Sequence, residues 1–133
     1  MNNAGVYVLA GLPIAAARSP ALLTPISDLE GMKAVSIEAV FAYGSGGAAC
    51  SAIVATSFDS GTTWRHIARF DFTTAAAVKV ANLNGQLSKA IAPYADLAAE
   101  GVNDGILGDM LAVYIVSTGT YTNTTLSVRA SVR

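Results

Sequence analysis

Chemistry in a protein needs groups that take up a proton, attack a carbon or hold a metal, and this sequence carries few of them. His66 is the only histidine and Cys50 the only cysteine. A serine triad sets a histidine between nucleophile and carboxylate, and a zinc site needs several histidine or cysteine ligands. His66 lies two positions after Trp64 in an alternating stretch and reads as a packed or surface histidine. Cys50 sits in an apolar run with no basic neighbour, the setting of a buried, inert thiol. Glycoside hydrolysis needs two carboxyls facing each other across a cleft. No spacing pairs Asp59, Asp71, Asp104 or Asp109, which read as solvated groups beside turns and strand ends. Trp64, Phe70, Phe72, Tyr94, Tyr114 and Tyr121 could stack a sugar, as in a carbohydrate-binding module. The strand patterning favours core aromatics plus exposed loop tyrosines, with Tyr121 in a polar loop as the exposed one. Asn123-Thr124-Thr125 fits a glycosylation sequon, meaningful only in a secretory context. No catalytic residue, cofactor or metal is expected, and the chain reads as no enzyme.

The densest local pattern is Ser57-Phe58-Asp59-Ser60-Gly61-Thr62-Thr63-Trp64. Asp59 can accept hydrogen bonds from nearby backbone N–H groups and close a turn. Gly61 can take a positive φ. Ser57 and Thr63 can add local bonds, and Trp64 offers an apolar plate at the hairpin base. The string resembles the Asp-box, a β-hairpin signature of sialidases and other β-proteins. In proteins that carry it the box is structural and lies away from the active site. The resemblance implies a clamp made by Ser57, Asp59, Gly61 and Trp64. With one copy, and in so short a chain, it does not imply a propeller.

The elements that must position these residues follow from period-two alternation. Residues 34–43 place Val35, Ile37, Ala39, Phe41 and Tyr43 on one face. Glycines at 44, 46 and 47 break the run, and residues 49–56 and 63–72 follow as strands, the three reading as an antiparallel meander. Residues 75–83 form a further strand, closed by Asn84-Gly85. Residues 86–100 read as a loop with one helical turn at most, because Pro93 breaks any helix. Residues 110–117 are apolar on both faces, as a central or covered strand is. Residues 124–133 have one apolar and one polar face. Residues 1–28 carry three of the four prolines and give one strand near residues 6–9 followed by an arm. The whole predicts an all-β antiparallel sandwich, jelly-roll-like, with an extended N-terminal arm: residues 1–28 as arm or first strand, residues 29–133 as the sandwich. Val6, Val8, Leu9, Leu12 and Tyr121 are the candidate interface residues, the arm either docking on a partner by strand addition or in a groove, or wrapping its own sandwich.

Composition narrows the partners. Apolar residues make up 53% and charged residues 13%, against about 25% charged in an ordinary domain. Basic residues are scattered, so no nucleic acid is expected. No apolar run reaches the ~18 residues of a membrane span. The apolar stretch near the start is interrupted by Gly11 and Pro13 and lacks a basic lead, so neither a secretory leader nor a membrane partner is expected. What remains is a subunit that buries surface against other proteins, with a homo-oligomer expected.

One longer resemblance agrees. LEGMKAVSIEAVFAYGSGG, then VATSFDSGTTWRHIARFDF, then VNDGILGDMLAVYIVSTGTYTNTTLSVR, spanning residues 29–133, are similar to small virion structural proteins of the head and neck modules of tailed bacteriophages. The similarity is one of turns and strands. It implies a non-enzymatic β-sandwich located in the virion, at the capsid surface or neck. Its partner would be the major capsid protein or other virion proteins, with capsid decoration, or cement, the leading role. A neck, head–tail or tail accessory subunit is the alternative within the virion, and a carbohydrate-binding module for host adhesion the alternative outside that class. Residues 44–47 and 118–123 are further candidate contacts.

Overall fold

The computed structural model describes residues 4–133. The chain forms β1 (Gly5–Ile14), β2 (Arg18–Leu22), β3 (Ala34–Ala42), β4 (Ser45–Gly46), β5 (Ala49–Ser57), β6 (Arg65–Phe72), β7 (Ala77–Asn84), β8 (Gly101–Val102), β9 (Met110–Thr118), β10 (Tyr121–Thr122) and β11 (Thr124–Val132). Antiparallel pairing arranges them as a four-stranded sheet, β1-β11-β3-β7, and a five-stranded sheet, β2-β9-β5-β6-β8. The short β4 and β10 pair separately.

Alternation explains which faces meet. Val35, Ile37, Ala39 and Phe41 of β3 and Leu126, Val128, Ala130 and Val132 of β11 are buried, while the residues between them face outward. They pack on Cys50, Ala52 and Val54 of β5, Phe70 and Phe72 of β6, and Leu111, Val113 and Ile115 of β9. Phe41 stacks on Phe72 across this core, centroids 4.9 Å apart. β5 is buried on both faces from Cys50 to Ser57. Its outward side is flanked by Tyr114 of β9 and by His66 and Arg69 of β6.

Two expectations change. The proposed meander of residues 34–43, 49–56 and 63–72 does not form. β5 and β6 pair, but β3 pairs with β11 and β7 in the other sheet. Residues 43–48 form a crossover between the layers, because β3 and β5 each supply an inward apolar face to one core. The extended N-terminal arm is also replaced. Residues 5–14 are the edge strand of one sheet and residues 18–22 the edge strand of the other. β1 turns Leu9, Ala10 and Ile14 into the core, and Leu12 packs against it half-buried. A bulge between Val8 and Ala10 sets Leu9 and Ala10 both inward, as an extra residue in one strand does. Residues 1–3 of the expected arm lie outside the described residues.

Candidate functional site

The turn at residues 57–64 joins β5 to β6. The Asp59 carboxylate accepts from the Thr63 N–H at 2.8 Å, the Thr63 hydroxyl at 2.7 Å and the Ser57 hydroxyl at 2.9 Å. The Ser57 hydroxyl oxygen accepts from the Gly61 N–H at 2.8 Å. Ser60 and Gly61 have φ of 58° and 90°, so glycine relieves the second of two left-handed positions. The space beside Gly61 is bounded by Met110 and the Trp64 indole. Trp64 is half-buried and lies outside the core cluster. It covers the turn instead of anchoring it in the core. The side chains of Ser57, Asp59 and Thr63 are spent on these local bonds.

Tyr121 departs furthest from its expected place. It is 2% exposed, not a loop surface residue. Its ring meets Phe41 and Tyr43 edge-on, and its hydroxyl donates to the Thr73 carbonyl at 2.7 Å. Its backbone N–H donates to the Ala15 carbonyl, and a Cβ on Gly47 would strike its ring. Residues 15–17, 43–48, 73–76 and 119–123 are the four crossovers at this end of the sandwich, and Tyr121, in the last, touches the other three. The signal for this was Gly47, which makes room for the ring. Phe70 and Phe72 are buried as well, so only Trp64, Tyr94 and Tyr114 of the six aromatics lie outside the core.

Leu9, proposed as an interface residue, is likewise buried at 4%. Val6 and Val8 do face solvent, on the outer face of the four-stranded sheet. The register continues across that face. Val6 lies beside Ser131, Ser36 and Asn82; Val8 beside Arg129, Glu38 and Val80; Gly11 beside Ser127, Val40 and Val78. Val6, Val8, Val78 and Val80 are 58–73% exposed. The face bends into a shallow concavity of about 520 Å³, lined among others by Val6, Glu38, Val80 and Arg129. Glu38, Arg129, Val78 and Val80 were not among the expected site residues. Their signal was the valines at outward positions of β7, where a solvated sheet carries polar side chains.

A second exposed surface is the strap formed by residues 86–100, which has no helix and runs beside β6. It is tied down at named points. The Leu97 N–H donates to His66 Nδ1 at 3.1 Å, and Arg69 Nη1 donates to the Leu97 carbonyl at 3.0 Å. The Tyr94 hydroxyl accepts from the His66 N–H and donates to Asp96. Glu100 accepts from the Asp71 N–H and from Lys79 Nζ at 2.7 Å. Ahead of these ties the strap holds a half-exposed Leu87 and a fully exposed Ile91 toward solvent. Asp71, read as a solvated group beside a turn or strand end, is the penultimate residue of β6 and is bonded to Ser51 and Arg69.

Chemically, the described residues offer surfaces for contact more than a reaction centre. Burial pushes the Cys50 thiol up to about 11. The one His66–carboxylate approach, 3.8 Å to Asp96, belongs to the strap's tethering. No group of three or more His, Cys, Asp or Glu that could hold a metal occurs among the described residues. Among the described residues no helix is long and apolar enough to cross a membrane. No protein-family model matches this sequence, and comparison with curated proteins and with solved structures finds no match.

Proposed function

We propose that this protein is a non-enzymatic structural subunit of a tailed-bacteriophage virion, a decoration protein that sits on the major capsid lattice and stabilises it. The observation that carries this reading is the strap, an irregular segment tethered through residues 94–100 that leaves Leu87 half-exposed and Ile91 fully exposed. Long irregular segments in compact domains are commonly binding elements. One held in place by hydrogen bonds meets a partner with little ordering cost. The resemblance of residues 29–133 to small virion proteins and the sparse charge point the same way. We read the winding of the strands as a jelly-roll. Counted in chain order, the eight strands of five or more residues run 1-8-3-6 in one sheet and 2-7-4-5 in the other. Jelly-rolls occur among viral capsid and lectin domains, which supports the class without fixing the role.

The test is binding of purified protein to undecorated phage capsids. Saturation at a copy number set by the capsid lattice, and its loss on Ile91→Asp with the fold intact by circular dichroism, is the expected result. Saturation at one ring per particle would replace decoration with the neck reading. Absence of binding would end both.

A further inference from the structure

We infer that the outer face of the four-stranded sheet is a self-association surface whose partner is a second copy of this chain, related by a twofold axis running along the strands between β11 and β3. The central row of that face reads Val8, Arg129, Glu38, Val80 from one edge to the other. Both charged side chains are exposed. A twofold axis in the plane of the face, parallel to the strands, lays Arg129 of each copy over Glu38 of the other and Val8 over Val80. The next row falls in place with it, Val78 opposite Gly11 and Val40 opposite Ser127. A valine thus faces a position with no side chain. An axis across the strands would instead set Arg129 against Arg129 and Glu38 against Glu38, which costs free energy. The charges therefore select one twofold, and isologous pairing of this kind is the commonest form of oligomer.

Size agrees with a real but modest interface. Four strands spaced about 4.8 Å apart, over rows about 3.3 Å apart from Val6 to Pro13, give a footprint on the order of 500 Å². Two copies then bury about 1,000 Å², the lower limit for a specific contact. Packed sheets keep their strands within about 30° of each other, so the strands nearest the axis, β11 and β3, stay closest to their counterparts, and those carry the charges. The strap is not part of this surface. Self-association and capsid binding can fail separately, and neither rests on the other.

The experiment is sedimentation velocity over a concentration series with four samples. Wild type should pass from monomer to dimer. Glu38→Arg and Arg129→Glu should each stay monomeric, because every cross-copy contact becomes like-charged. An equimolar mixture of the two should dimerise, since Arg then meets Glu at every contact. The double variant Glu38→Arg/Arg129→Glu should recover the wild-type dimer. A wild type that remains monomeric throughout, single variants that dimerise like wild type, or a mixture that stays monomeric would each overturn the inference. If a single variant fails to fold, Val80→Lys takes its place. Val80 is 73% exposed on an edge strand, and a dimer unaffected by that change also overturns the inference.

Discussion

Asp59 shows how one exposed carboxylate can organise a turn. Its hydrogen bonds, the Thr63 backbone N–H first and the Thr63 hydroxyl next, hold its pKa below the ordinary value of 3.8. A carboxylate with a depressed folded value stabilises the fold above its unfolded value, and that contribution is lost as pH falls through the folded one. Asp59→Ala should therefore lower the melting temperature at neutral pH, and the gap from wild type should close in acid, below the ordinary carboxylate range. Tyr121 gives a second test at this scale. Tyr121→Phe removes one hydrogen bond to the Thr73 carbonyl and should cost about 1 kcal/mol. Tyr121→Ala also empties a ring-sized space where four crossovers meet and should cost about 3–5 kcal/mol. Urea denaturation of both variants measures the difference. Cys50 should resist thiol reagents in the native protein and react fully once it unfolds, since burial keeps its thiolate scarce.

The strap and the sandwich should respond to acid differently. His66 accepts the Leu97 N–H at Nδ1, so its neutral ring carries the proton on Nε2, on the side of Asp96. Burial lowers its proton affinity from the ordinary 6.5, Asp96 opposes that, and Arg69 adds to it. The sign follows: the contribution of His66 is complete above 6.5 and is lost as pH falls through its folded value. A proton on Nδ1 would face the Leu97 N–H, donor against donor. Hydrogen exchange at Leu97 should accelerate as pH is lowered through this range, relative to amides of β5 and β9, once the intrinsic pH dependence is removed. His66→Ala should do the same at neutral pH and open the strap to proteases with little change in the melting of the sheets. Elements differ in how far the sequence announces them. The strands at residues 34–42 and 124–132 were readable because one face is apolar at every second position. Their pairing was not, because alternation tells which side of a strand is buried and says nothing of its neighbour. β3 and β5 carry equally apolar inward faces, so only the long-range register sends them to opposite layers. Tyr121 was misread for a related reason. Its polar neighbours describe the crossover it belongs to, while its burial depends on three other crossovers distant in sequence.

At the scale of the whole molecule, the eight longer strands alternate between the layers at every connection but one, and the exception is the turn at residues 57–64. The sandwich is therefore closed mainly by contacts between distant parts of the chain. β1 has β11 as its neighbour, Gly5 opposite Val132 and Ile14 opposite Thr124. Contacts so remote in sequence make folding slow. During synthesis the first strand has no place in its sheet until residues 124–132 have left the ribosome, well over a hundred residues after it. Until then an uncharged, largely apolar segment, GVYVLAGLPI, is an unpaired edge of the kind that joins other chains. Yield should consequently depend on chaperone capacity and growth temperature more than on the stability of the finished fold, and C-terminal truncations that remove β11 should accumulate as aggregate instead of as a smaller sandwich.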